Sequence, residues 1–237
     1  MILRVLSTEW LKIRRKWIWL LVVLGPLGAV GLQVVNYGLR YDYLMSLYAD
    51  DLWLGLTRNV NILMLPSLFI GLAILASLTA GIEHQTNAWK QTLALPVTRS
   101  SVFVAKFVLT ALLLLVSSSL IVIFTLIFGW LLGLEASPPM TTLLQAAYYP
   151  YLAIMPFVAL HTGLSTIIAN QAVPMTVGIV NLVLATFSLW MPDWMPWIWP
   201  HLDNRYDEPL YSVLAGIVTG GLVLLISLVI FVRKDVR

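Results

Sequence analysis

Long apolar runs, separated by short polar segments, set the pattern of the chain. A membrane-crossing helix needs about 20 mainly apolar residues. Six runs meet that length, at about 17–36, 60–82, 104–133, 148–170, 172–191 and 210–232. Val60–Ile82 carries no charge, and the third run is long enough to tilt or to project past a bilayer. Between Ala136 and Pro192 there is no Asp, Glu, Lys or Arg. The simplest division of that stretch is two spans turning at Asn170–Gln171. Pro26, Pro66, Pro156 and Pro174 fall inside the runs, where neighbouring helices can satisfy the carbonyls that proline frees.

The opening segment 2–16 follows a different period. Leu3, Leu6, Trp10, Ile13 and Trp17 recur at helical spacing, while Arg4, Thr8, Lys12 and Arg15 lie mostly away from them. This predicts an amphipathic helix in the membrane interface, with the basic residues Lys12, Arg14 and Arg15 toward anionic headgroups and Trp10 on the apolar face. A plain basic flank that sets topology accounts for the same residues. The following apolar run has no A-x-A-like cleavage site and reads as a retained first helix rather than a signal peptide.

Charge gives the orientation. With the N-terminus inside, inner segments hold 11 of the 14 Lys and Arg residues, leaving Arg40, Arg58 and Arg205 outside. The acids Asp42, Asp50, Asp51, Glu135, Asp193, Asp203, Asp207 and Glu208 fall outside. Both termini are expected to be cytoplasmic. Composition agrees: 60% of residues are hydrophobic, 11% are charged, and mean hydropathy is +0.90. Soluble domains carry about 25% charged residues. The expectation is an all-α, multi-pass protein of the plasma membrane, forming one domain over 1–237.

Several chemistries find no support. The absence of cysteine excludes disulfides, thiol catalysis and cysteine metal sites. The three histidines fall at separate depths, which removes a shared metal site. No phosphate-binding G-x-x-x-x-G-K-[ST] motif is present, and no nucleic-acid partner is indicated. Ser165 and His161 are four residues apart on one helix and lack the tight turn of a serine intramembrane hydrolase. No catalytic residue is therefore assigned. His161, with Asn181, is a candidate to line a substrate path, although simple interhelical hydrogen bonding also accounts for the histidine. The segment 192–209, inside a loop with four Pro and three Trp, is expected to form short helices or a re-entrant element at the outer surface, or an aromatic belt.

The polar stretch Glu83–Arg99, EHQTNAWKQTLALPVTR, lies between the second and third runs. Its middle is helix-compatible, Pro96 stops it, and Thr98 can cap the start of the third span. A short helix over 84–96 presenting Trp89 and Lys90 suits protein docking. A headgroup-anchored loop is the simpler alternative.

The run of Glu83, Trp89-Lys90, Leu93, Leu95-Pro96, Arg99 and Lys106 resembles the first cytoplasmic loop of ABC-2-type transporter permeases. The form Asn87-x-Trp89-Lys90 to Leu95-Pro96 is most similar to the lantibiotic and antimicrobial-peptide immunity subgroup. The resemblance extends to the layout of nearly the whole chain: interfacial helix, six spans, coupling helix and outer re-entrant element. It implies a non-catalytic permease subunit of an ABC exporter that binds no cofactor itself. ATP and magnesium would be handled by a separate ATPase dimer. It also implies a second permease copy or a sister permease, and contact with membrane lipids. Glu83, Trp89, Lys90, Leu95, Pro96 and Arg99 would couple to the ATPase. Export of another drug or lipid, or a non-transport scaffold or sensor role, are the alternatives.

Overall fold

The computed structural model of the chain describes residues 2–86 and 97–233. Among them the regular structure is entirely helical. The elements are α1 (Ile2–Ile13), α2 (Ile18–Leu47), α3 (Leu52–Gln85), α4 (Arg99–Leu131), α5 (Met140–Ala153), α6 (Met155–Ile167), α7 (Ala172–Thr186) and α8 (Pro209–Arg233), with single 3-10 turns at Ser188–Trp190 and Trp199–His201.

Among the described residues four helices, α2, α3, α4 and α8, are long and apolar enough to cross a membrane; α5 and α6, bent by 45° at their junction, form either a fifth, broken crossing or a re-entrant loop. The expected span at 148–170 is therefore two helices. Its break arises from the chain itself, because Pro156 sits in the first turn of α6 and cannot donate a backbone N–H to continue α5. The segment expected at 172–191 is helical only through Thr186. Fifteen residues rise about 22 Å, short of a hydrocarbon core of about 30 Å.

Two helices are longer than the apolar pattern indicates. α2 continues to Leu47, with a non-helical backbone at Arg40 (φ −131°), and α3 begins at Leu52 rather than near 60. Asp51 caps α3 by accepting from the Leu54 N–H at 2.9 Å. The extra turns carry Arg40, Asp42, Asp50, Asp51 and Arg58, so they form a polar helical hairpin beyond the apolar stretch. Trp53 anchors it by packing against Gly129 and donating to the Ala136 carbonyl at 2.8 Å.

α3 is the centre of the bundle. Over half of its most apolar window is buried, 56% against 22% for α8. Leu56, Val60, Leu68, Phe69, Leu72 and Leu75 of α3 pack with Leu109, Leu113 and Leu114 of α4 and Phe157 and Val158 of α6. α8 instead packs closely along α6 and the α5–α6 break, through glycines. A Cβ on Gly216 would stand 2.5 Å from the Ala153 Cα, and one on Gly220 2.8 Å from the Met155 Cβ. Small residues of this kind let helices approach where apolar burial alone gives little drive.

The 192–209 segment contains turns and one 3-10 turn, not a longer re-entrant helix. It is a cap over the acidic end of the bundle. Ile198 and Trp199 are buried against Ala153, Trp199 Nε1 donates to the Asp193 carbonyl at 2.7 Å, and Arg205 pairs with Asp193 at 3.0 Å.

Candidate functional site at the basic end of the bundle

Four charges near the ends of the polar loop come together. Glu9 of α1, Glu83 of α3 and Lys106 of α4 are each 2% exposed or less. Lys12 of α1 completes a closed ring. Its ammonium pairs with Glu9 and with Glu83 Oε1, the latter at 2.7 Å. The Lys106 ammonium pairs with Glu9 Oε2 and Glu83 Oε2, both at 2.7 Å. Each carboxylate thus bridges two lysines, and the ring has no net charge.

Hydrogen-bond capacity is also met. An ammonium has three protons to place. Lys106 places its third on the Thr79 carbonyl at 3.1 Å. Lys12, with 31% of its side chain exposed, keeps its third for water. Burial disfavours the Lys12 ammonium, but the adjoining Glu9 and Glu83 outweigh it and hold its pKa above the ordinary 10.5. Buried charges persist when they are paired and hydrogen-bonded in this way.

This arrangement corrects the reading of α1. Val5, Glu9 and Ile13 form its buried face, and Val5 packs with Val102, Phe103 and Ala105 of α4. Leu3, Trp10 and Leu11 are exposed. Lys12 points into the protein instead of toward headgroups, whereas Arg14 and Arg15 remain exposed at the turn into α2. Glu9 is a site residue that the sequence pattern does not single out. The available signal is Lys106, a cation set in an apolar helix, since such a residue needs a named counter-charge.

The ring ties together the ends of α3 and α4 that flank the intervening loop, because Glu83 lies just before that loop and Lys106 two turns into α4. Other bonds fasten the same ends. Thr98 accepts from the Ser101 N–H at 3.2 Å and caps α4. His84 Nε2 meets the Ser165 carbonyl at 3.0 Å, joining α3 to α6. Arg99 donates to the Val232 carbonyl at 3.2 Å, joining α4 to α8. The loop is therefore rooted in α1, α3, α4, α6 and α8. The expected helix 84–96 begins with two residues that belong to α3. Trp89, Lys90, Leu95 and Pro96 lie outside the described residues.

His161 and Asn181 meet elsewhere, between α6 and α7. Trp197 of the cap donates its indole N–H to Asn181 Oδ1 at 3.1 Å. That fixes the amide, so Asn181 Nδ2 donates to His161 Nε2 at 3.3 Å. The ring proton then sits on Nδ1, which has no partner. Both side chains are buried in the single chain, and the relay ties the cap to the interior. Asn181→Leu should cost about 1–3 kcal/mol by leaving the Trp197 and His161 groups unpaired. The thermal unfolding midpoint in detergent measures it. Ser165 Oγ has no hydrogen-bond partner and therefore forms no nucleophile–base pair with His161.

A family model described as ABC-2 family transporter protein matches residues 5–188, well over half of the chain. No curated protein and no solved structure matches it. The matched stretch begins in α1 and includes all four charges of the ring, both ends of the polar loop and the His161–Asn181 pair. The chain belongs to the ABC-2 transporter family, and its role is that of a multi-pass membrane permease.

Proposed function

We propose that the chain is the permease subunit of an ATP-driven exporter, with the loop between α3 and α4 as the part that docks on a separate ATPase dimer. One observation carries the reading: both ends of that loop are rooted by ion pairs and hydrogen bonds in five helices. A displacement of the loop would therefore reach most of the bundle instead of dissipating in a flexible connection. Trp89, Lys90, Leu95 and Pro96 would form the docking surface, and Glu83 and Arg99 would anchor it. The basic end would face the cytoplasm, as positive residues favour, and ATP and magnesium would bind the partner.

A second permease copy or a sister permease would complete the pathway, and α7 with the turn after it would make a sixth crossing. The cargo fits an antimicrobial peptide or similar amphipath. Such a molecule partitions into the bilayer and needs no chain of ionisable groups through the spans.

The test is a mild-detergent pull-down from native membranes with mass spectrometry of the bound proteins. Wild type should retain a nucleotide-binding subunit, and Trp89→Ala with Lys90→Glu should lose it by tenfold or more, a loss of about 1.4 kcal/mol or greater. Recovery of no ATPase with wild type under several gentle conditions would remove the energy source and end this reading.

A further inference from the structure

A cavity of about 470 Å³ opens beside the basic end, between the α1–α2 turn, α3 and the start of α7. That size falls within the range of about 300–1,000 Å³ typical of ligand sites. Arg15, Lys16 and Trp17 form its rim. All three are exposed, and neither cation forms an ion pair among the described residues. The walls are apolar, with Leu21, Leu78 and Met175 among them.

Two residues of the lining, Ser77 and Gln171, carry polar atoms that lack partners but are sealed behind the cavity wall. Ser77, only 4% exposed, has an unpaired hydroxyl. Gln171 donates its Nε2 to the Ser165 and Ile168 carbonyls at 3.0 and 2.7 Å. That fixes the amide orientation, and its buried Oε1 is left without a donor. A buried acceptor left unpaired costs free energy comparable to a lost hydrogen bond.

We infer that this cavity binds one anionic phospholipid. Each part of the lipid meets a need of the site. The phosphate meets Arg15 and Lys16 at the rim. The acyl chains leave along Leu78 and Met175, which are about two-fifths exposed, while Trp17 sits at headgroup level. The bound lipid would brace the α1–α2 turn, whose other side is held by the ion-pair ring. This inference is independent of the ATPase and of the cargo.

The experiment is native mass spectrometry of the full chain released from nanodiscs of equal phosphatidylglycerol and phosphatidylcholine. One phosphatidylglycerol should stay bound to wild type, and phosphatidylcholine should not. In Arg15→Gln with Lys16→Gln, retention should fall roughly thirtyfold, as two basic side chains near an anionic surface imply. Circular dichroism should show the fold of the double variant intact. Excess inorganic phosphate should not compete, because the chains contribute to binding. Equal retention of both lipids overturns the inference, as does unchanged retention in the well-folded double variant. Displacement by phosphate alone would make the site an anion site and overturn it as well.

Discussion

Replacing Lys106 with Met should destabilise the protein by about 3–5 kcal/mol, the range for breaking one partner out of a buried pair. The substitution fills similar space, so loss of packing contributes little. It leaves Glu9 and Glu83, each 2% exposed or less, with only the partly exposed Lys12 between them. Two carboxylates sharing one cation cannot both stay ionised at low cost. The expected readout is a large drop in the thermal unfolding midpoint in detergent and poor recovery of the monodisperse protein. Replacing the whole ring, with Glu9→Met, Lys12→Met, Glu83→Met and Lys106→Met together, should recover most of the loss. Buried ion clusters exchanged for well-packed hydrophobic groups of similar volume are often near neutral in stability. A single variant as stable as wild type would show that the ring is not closed in the folded protein.

The second large effect lies on the α6–α8 side. Gly216→Ala should cost about 1–3 kcal/mol, toward the upper end, because the new methyl would meet the backbone of Ala153 at 2.5 Å and backbone cannot rotate away. Gly221 is the internal control. It lies in the same helix, and a methyl added there would have nothing within 4 Å. Gly221→Ala should therefore be neutral or mildly stabilising, since Ala is about 1 kcal/mol better than Gly in a helix. Comparing the two unfolding midpoints removes any general effect of alanine on α8. Equal midpoints would show that α8 does not press on the α5–α6 break.

The apolar runs locate every long helix because a membrane-crossing segment announces itself by length and composition. They fail where polar residues continue a helix. Tyr37–Leu47 and Leu52–Asn59 stay helical through local caps and the Trp53 anchor, which no apolar window detects. They also fail at Ile154, where the break depends on Pro156 reaching the right turn of a helix.

The site is legible in the sequence only in part. Glu83 and Arg99 are recognisable as loop ends, since they flank a compact polar segment. Glu9 and the partnership of Lys106 are hidden, because charges near the ends of spans serve equally well as topology signals. Their pairing crosses 97 positions of sequence and has no local pattern. The buried face of α1 is obscured for a related reason. Spacing identifies a stripe, but Leu3 and Leu11 can face lipid as comfortably as protein, so apolar character does not reveal which side is buried.

The ring also bears on how the chain is made. Its members are residues 9, 12, 83 and 106, so all four have been synthesised before α5 exists. Until Lys106 emerges, Glu83 and Glu9 have only Lys12 of the ring to share, and α1 lacks the α4 residues against which Val5 packs. Once α4 enters, the four charges neutralise one another, and α1 to α4 become a unit that can leave the insertion machinery together. The glycine seam of α8 closes last, against helices already in place. The order of synthesis would allow insertion in two stages, in which a fault in the ring would be met by the cell before any mature protein could be tested for transport.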